Sequence, residues 1–256
     1  MRDVLEALAA GRLTPSEAEA RLRGYVTNDA GRFDATRKQR SGVPEAILAT
    51  GKTDEELATL AEASLSTTAR AIVTRIEPSG ANAVRSRLAE THPDATLRYD
   101  ERAGVLVVHD TAFEAPDLDA TVGVVTAGTS DAIPAREAAT VVREMGAGVE
   151  LIEDVGVASL DRLLDQLPLL RRQDVLVVAA GREGALPTVL AGLVDVPIIA
   201  VPVSTGYGYG GDGAAALAGM LQSCTALSVV NVDAGFTAGA QAGLIARQLD
   251  TARSGS

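Results

Sequence analysis

Between residues 119 and 256, five short apolar runs recur, and each is followed by about ten residues with helical spacing. The runs are Val122–Thr126, Val149–Ile152, Val175–Ala179, Ile198–Val201 and Leu227–Val232. Continuous Val, Ile and Leu without polar alternation marks strands buried on both faces, which requires helices on either side of a parallel sheet. Strands and helices in strict alternation predict an α/β, doubly wound, flavodoxin-like parallel sheet, closed by a helix over Gly239–Leu249. Ligands of such sheets sit beyond the carboxyl ends of the strands. The turns after the five runs are therefore where chemistry is expected.

The first run leads into Ala127-Gly128-Thr129-Ser130-Asp131 and a helix starting near Pro134. Small residues and hydroxyls at a helix start expose N–H groups that suit an anion, and they serve equally as a plain cap. The acids Glu153 and Asp154 follow the second run. After the third comes Gly181-Arg182-Glu183-Gly184. A carboxylate between glycines at a strand end can act as a general base, and burial would raise its pKa toward neutrality. The fourth run opens a loop from Ser204 to Gly213 with five glycines, among them Gly206, and two tyrosines, Tyr207 and Tyr209. Such a loop can bring backbone close to a ligand and flank a flat ring, or it can be flexible chain only. Cys224, the single cysteine, stands between a helix over Ala214–Gln222 and the fifth run. A lone thiol beside apolar sequence ordinarily packs, and no nearby lysine or histidine lowers its pKa.

Residues 1–118 read as a separate, small α+β domain, joined to residues 119–256 through Ala115-Pro116-Asp117-Leu118-Asp119. Two short helices surround Thr14-Pro15, where Thr14 caps and Pro15 starts the second. Thr53 or Asp54 caps a helix through Ala63; Ala71–Ile76 is a strand, Gly80–Thr91 a helix, and Thr96–Asp110 a hairpin turning at residues 101–104. Arg32, Arg37, Lys38 and Arg40 cluster in nine residues, either as a solvated basic loop or as an anion-binding arm. The two histidines, His92 and His109, lack partners at zinc-ligand spacing and read as structural; no metal ligands are written in the sequence.

Composition narrows the class. A net charge of -11, no tryptophan and 3% aromatic residues argue against nucleic acid, which is held by basic surfaces and aromatic stacking. No apolar run approaches the eighteen or so residues of a membrane span. The amino-terminal stretch is an acidic amphipathic helix pattern and not a signal peptide, and one cysteine suits a reducing compartment, so a cytoplasmic location is expected.

Two resemblances add to this reading. Residues 122–248 resemble the N5-carboxyaminoimidazole ribonucleotide mutase family of purine biosynthesis, through Gly-Thr-Ser-Asp at 128–131, Ala-Leu-Pro at 185–187 and Val-Pro-Val at 201–203. The position of that family's proton-shuttle histidine holds Ala185, and no histidine follows residue 109. The segments GRFDATRKQRSGVPEAILATGKT, TAGTSDAIPAREAA, GREGALPTVLAGLV and GYGYGGDGAAALAGMLQSC…VVNVDAGFTAGA are similar to pyridinium-3,5-biscarboxylic acid mononucleotide synthases, the LarB family of nickel-pincer cofactor biosynthesis. The resemblance implies an enzyme that carboxylates C5 of the pyridinium ring of nicotinic acid adenine dinucleotide with CO2. It also implies hydrolysis of the phosphoanhydride with release of AMP. In that setting Cys224 becomes a nucleophile that adds to the ring, and Glu183 the carboxylate that removes the C5 proton. Mg2+ bridging the two phosphates is implied as well. Gly128, Ser130, Asp131, Gly206 and Tyr207, with Arg32, Arg37, Lys38 and Arg40, become dinucleotide-binding candidates. Relatives of this fold assemble as octamers, so a homo-octamer or other homo-oligomer is expected. A purine-pathway carboxylase or mutase, and a non-catalytic dinucleotide-binding protein in which Cys224 only packs, are the alternatives.

Overall fold

The structure is a computed structural model that describes residues 2–13, 15–28, 31–206 and 208–255. The chain divides into two compact units, Met1–Glu114 and Ala115–Ser256. Among the described residues no helix is long and apolar enough to cross a membrane.

The first unit opens with α1 (Arg2–Ala9) and α2 (Pro15–Arg23). Pro15 starts α2, where its fixed φ and missing N–H cost nothing; Thr14, its expected cap, lies outside the described residues. An antiparallel pair, β1 (Val26–Asn28) with β2 (Gly31–Phe33), follows and was not expected, because three-residue strands carry too little pattern to read. The basic segment forms a helix, α3 (Arg37–Ser41), where a loop or arm was expected. Two of its basic side chains are paired locally, Arg37 with Glu45 at 2.8 Å and Arg40 with Asp34. Then come β3 (Ile47–Leu48), α4 (Asp54–Thr68), β4 (Arg70–Thr74), α5 (Pro78–Thr91), β5 (Thr96–Asp100) and β6 (Val105–His109). Thr53 and Glu56 cap α4 reciprocally, the Glu56 N–H donating to Thr53 Oγ1 at 3.2 Å and the Thr53 N–H to Glu56 Oε2 at 2.7 Å. The helix continues past Ala63 to Thr68 because Leu65 is buried against the sheet. The sheet order is β3-β4-β6-β5, parallel only between β3 and β4.

The second unit runs β7 (Thr121–Thr126), a short 3-10 turn (Thr129–Asp131), α6 (Ala132–Met145), β8 (Gly148–Ile152), α7 (Leu160–Leu170), β9 (Val175–Ala180) and α8 (Ala185–Ala191). It ends with β10 (Ile198–Pro202), α9 (Ala214–Leu221), β11 (Ser228–Val229) and α10 (Gly235–Ser254). All five strands are parallel, in the order β11-β10-β9-β7-β8, which is the flavodoxin-like order expected. Successive strand residues face opposite layers. In β9, Val175, Val177 and Ala179 pack with Ala138 of α6 and Ala242 of α10, whereas Leu176, Val178 and Ala180 pack with Leu163, Leu186 and Met220. This is why β7, β9 and β10 carry no polar alternation, whereas the edge strand β8 alternates and includes Glu150.

Two packing details position the upper and lower rims of this sheet. Helix α10 lies very close to α6 through Gly235, Gly239 and Gly243; a Cβ on Gly239 would sit 2.5 Å from the Ala138 carbonyl oxygen. Glu137 of α6 accepts the Phe236 N–H at 3.0 Å, setting a carboxylate at the amino end of α10. At the strands' amino ends, Asp174 bridges the Thr121 N–H at 2.8 Å and the Arg253 guanidinium at 2.5 Å. Burial alone would push Asp174 up, but these donors outweigh it and hold its carboxyl below the usual range.

Candidate functional site

The strand order reverses between β7 and β9, and a pocket of about 600 Å3 opens there beyond the strands' carboxyl ends. Its rim comes from the turns after β7, β8, β9 and β10, which bring together Gly128, Ser130, Asp131, Glu183 and Gly206. The backbone is bent to fit. Arg182 and Asp154, both on the rim, hold φ values of 55 and 60, a region side chains normally avoid. Gly181 permits a close crossing of two turns, since a Cβ there would meet the Thr205 carbonyl oxygen at 2.6 Å.

Asp131 is the pocket's buried carboxylate, 3% exposed. Its Oδ2 accepts the Gly128 N–H at 2.8 Å and its Oδ1 accepts the Gly181 N–H at 3.2 Å, so one side chain ties the β7 turn to the β9 turn. Burial pushes its carboxyl above the usual range, with the Gly128 and Gly181 N–H groups and the Thr205 and Ser130 hydroxyls opposing. Glu183 is exposed. It stands with Arg182 between the main pocket and a smaller cavity of about 200 Å3 under the glycine loop. Of these two acids, Asp131 is the buried one.

Other candidates are placed differently. Cys224 is exposed, in the turn that feeds β11 at its amino end, and is not among the residues lining the pocket. Ser228 of β11 pairs with Ile199, the second residue of β10, so that turn belongs to the side where strands begin. Tyr207 and the Arg32 side chain lie outside the described residues. Tyr209 is fully exposed, at the edge of the smaller cavity under the glycine loop. Arg37, Lys38 and Arg40 belong to α3 in the first unit, where Lys38 lines a separate cavity. Arg162, which sequence reasoning missed, lines the pocket from α7 and pairs with Asp154 at 2.8 Å. Nothing in its spacing separates it from other exposed helix arginines.

The pocket thus presents two guanidinium groups, Arg162 and Arg182, and the amino end of α6, facing three carboxylates, Asp131, Asp154 and Glu183. It suits a ligand with anionic phosphates and a proton to be removed. Among the described residues no three His, Cys, Asp or Glu side chains gather as a protein-built metal cage would need. Mg2+ commonly takes one or two carboxylates and completes its shell with water and substrate phosphates; Asp154 and Glu183 on the rim fit that lesser demand.

Comparison with known proteins gives a consistent picture. Residues 25–110 match the LarB/PurE-like N-terminal domain, and residues 121–254 match the AIR carboxylase domain. An uncharacterized protein of Methanocaldococcus jannaschii is 34% identical over 255 residues, covering 96% of this chain and 97% of that one. Two crystal structures of PurE proteins from Treponema denticola, one a point variant, superpose with a TM-score of 0.38 each. They share 15% and 14% identity and cover 52% of this chain and 94% of theirs.

Proposed function

The chain belongs to the LarB family, a carboxylase/mutase-type family with a LarB/PurE-like amino-terminal and an AIR carboxylase carboxyl-terminal domain, and from that we propose that it carboxylates C5 of the pyridinium ring of nicotinic acid adenine dinucleotide and hydrolyses its phosphoanhydride. The observation that carries this reading is the switch-point pocket, where two arginines and an exposed carboxylate meet beside a helix amino end, in a chain of this family.

In this reading the Cys224 thiolate adds to C4 of the electron-poor ring. Aromaticity is lost and C5 becomes enamine-like, hence nucleophilic. C5 attacks CO2, Glu183 takes the C5 proton, and the thiolate leaves as the ring becomes aromatic again. Water then cleaves the anhydride, giving AMP and the biscarboxylated mononucleotide. Arg162 and Arg182 hold the phosphates through forked N–H donors, assisted by the amino end of α6 at Ser130. Mg2+, when bound to the phosphate oxygens, would neutralise charge on the anhydride. Because Cys224 does not line its own chain's pocket, this chemistry calls for a homo-oligomer in which a second copy supplies the thiolate.

The test is to incubate the protein with the dinucleotide, bicarbonate and Mg2+ and read the products by mass spectrometry, beside Cys224→Ala. AMP and a mononucleotide heavier by one carboxylate, both absent with the variant, are expected. An intact dinucleotide with the unmodified protein ends this reading and makes aminoimidazole ribonucleotides the next substrates to try.

A further inference from the structure

The first unit holds a polar cavity of about 530 Å3 that the reaction above does not use. On its wall His92 stands between a hydroxyl and a carboxylate: Nε2 lies 3.1 Å from Ser66 Oγ, and Nδ1 lies 3.1 Å from Asp110 Oδ2. The three side chains come from α4, from the residue ending α5 and from the residue after β6, so three separate elements converge on one point. Asp110 is itself fixed, its Oδ1 accepting the Ala112 N–H and the Thr111 hydroxyl at 3.2 Å each. The Ala112 N–H, with help from His92 and Thr111, holds the Asp110 carboxyl below its usual range, so it is ionised. An ionised Asp110 takes the Nδ1 proton as its hydrogen-bond donor, which leaves the Nε2 lone pair facing the Ser66 O–H.

A hydroxyl at hydrogen-bond distance from a base, with a third group orienting that base, is the arrangement that activates a serine. Ser66 is exposed and opens onto the cavity, so a substrate can reach it. The surrounding charge selects the substrate. Asp34 is matched by Arg40 and Glu45 by Arg37, while Asp110 keeps its negative charge beside the neutral His92. Lys38 and Arg70 line the cavity as well, adding positive charge in a chain whose net charge is -11. Arg70 is held over the Phe113 ring at 5.0 Å.

We propose that this cavity is a second catalytic site, with Ser66 as nucleophile, His92 as general base and Asp110 as its positioning residue, for hydrolysis of an ester or thioester of a small, negatively charged carboxylic acid. Ser66 Oγ bonds to the acyl carbon while its proton passes to His92 Nε2. The carbon–oxygen or carbon–sulfur bond to the leaving group breaks, and the leaving group takes that proton. Water then attacks the acyl-serine, giving a proton to Nε2; the free acid departs and the proton returns to Oγ. Lys38 and Arg70 favour the negative charge on both the acyl group and the developing oxyanion.

The test uses the full chain and two probes. A fluorophosphonate should modify the intact protein, and peptide mapping should locate the adduct on Ser66. With 4-nitrophenyl hemisuccinate, the rate should fall on the order of 10²-fold or more in Ser66→Ala and in His92→Gln. It should also exceed the rate with neutral 4-nitrophenyl butyrate. Alanine is favourable at an exposed helix position, so Ser66→Ala should stay folded, which its melting curve checks. Equal rates for the unmodified protein and Ser66→Ala, or no phosphonylated Ser66 peptide, overturn the proposal.

Discussion

Asp131 and Glu183 share one pocket yet face different environments, and each makes its own prediction. Asp131 binds its proton more tightly in the folded chain than in the unfolded one, because burial penalises its charge. Folding therefore takes up a proton, and the stability Asp131 contributes is complete below its unfolded value of 3.8 and is lost as pH rises through the folded value. Asp131→Asn removes this dependence. The unfolding free energy of the unmodified chain minus that of the variant should fall as pH climbs above 3.8, by up to about 1.4 kcal/mol per pH unit within the window. Urea titrations at several pH values would show it, and a flat difference would refute it. Glu183 is exposed, so Glu183→Gln should leave the urea midpoint in place. Carboxylation, if Glu183 is the base, should slow by roughly 10²–10⁴-fold. The rim turns were legible because glycines follow strand runs. Which of the two acids is buried was not, since that depends on how the turns at Gly128 and Gly181 approach each other.

Among the helices, α10 shows packing overruling propensity. Glycine to alanine in a helix interior normally gains up to about 1 kcal/mol. At Gly239 the added Cβ would lie 2.5 Å from the Ala138 carbonyl oxygen, a backbone atom that moves only if α6 and α10 part. We expect Gly239→Ala to destabilise the chain by about 1–3 kcal/mol. Gly192→Ala, whose Cβ meets only the Val189 carbonyl oxygen at 3.5 Å, should be close to neutral. Denaturant midpoints of the two variants provide the comparison, and a stabilised Gly239→Ala would contradict this account. The same packing explains why the expected helix over 239–249 is really Gly235–Ser254. Glycines at 235 and 239 read as a weak start until α6 is known to lie against them. The strands β7, β9 and β10 were legible because burial on both faces writes itself as apolar runs, which the edge strand β8 interrupts with Glu150. At the sheet edge, β11 pairs over only Ser228–Val229, shorter than its apolar run.

For the whole molecule, the distance in topology between Cys224 and the pocket sets the expectation. The cysteine belongs to the end of the sheet where strands begin, and the pocket to the end where they finish. Under the proposed function, Cys224→Ala and Glu183→Gln should each be inactive alone. Mixed under conditions that exchange subunits, they should recover carboxylation, because some sites then receive an intact thiol and an intact carboxylate from different chains. Mixed oligomers without recovery would mean that each chain uses its own cysteine. The crossed strand order has a last consequence, for the timing of birth. The pocket's rim is collected from residues 127 to 206, and the strand that flanks β10 comes later still, at 228–229. On the ribosome, the first two strand–helix repeats emerge with half a rim and a sheet edge that awaits β9. No ligand can shelter this nascent intermediate, so the stretch from β7 to β8 has to survive translation on its alanine-rich helix and valine core alone.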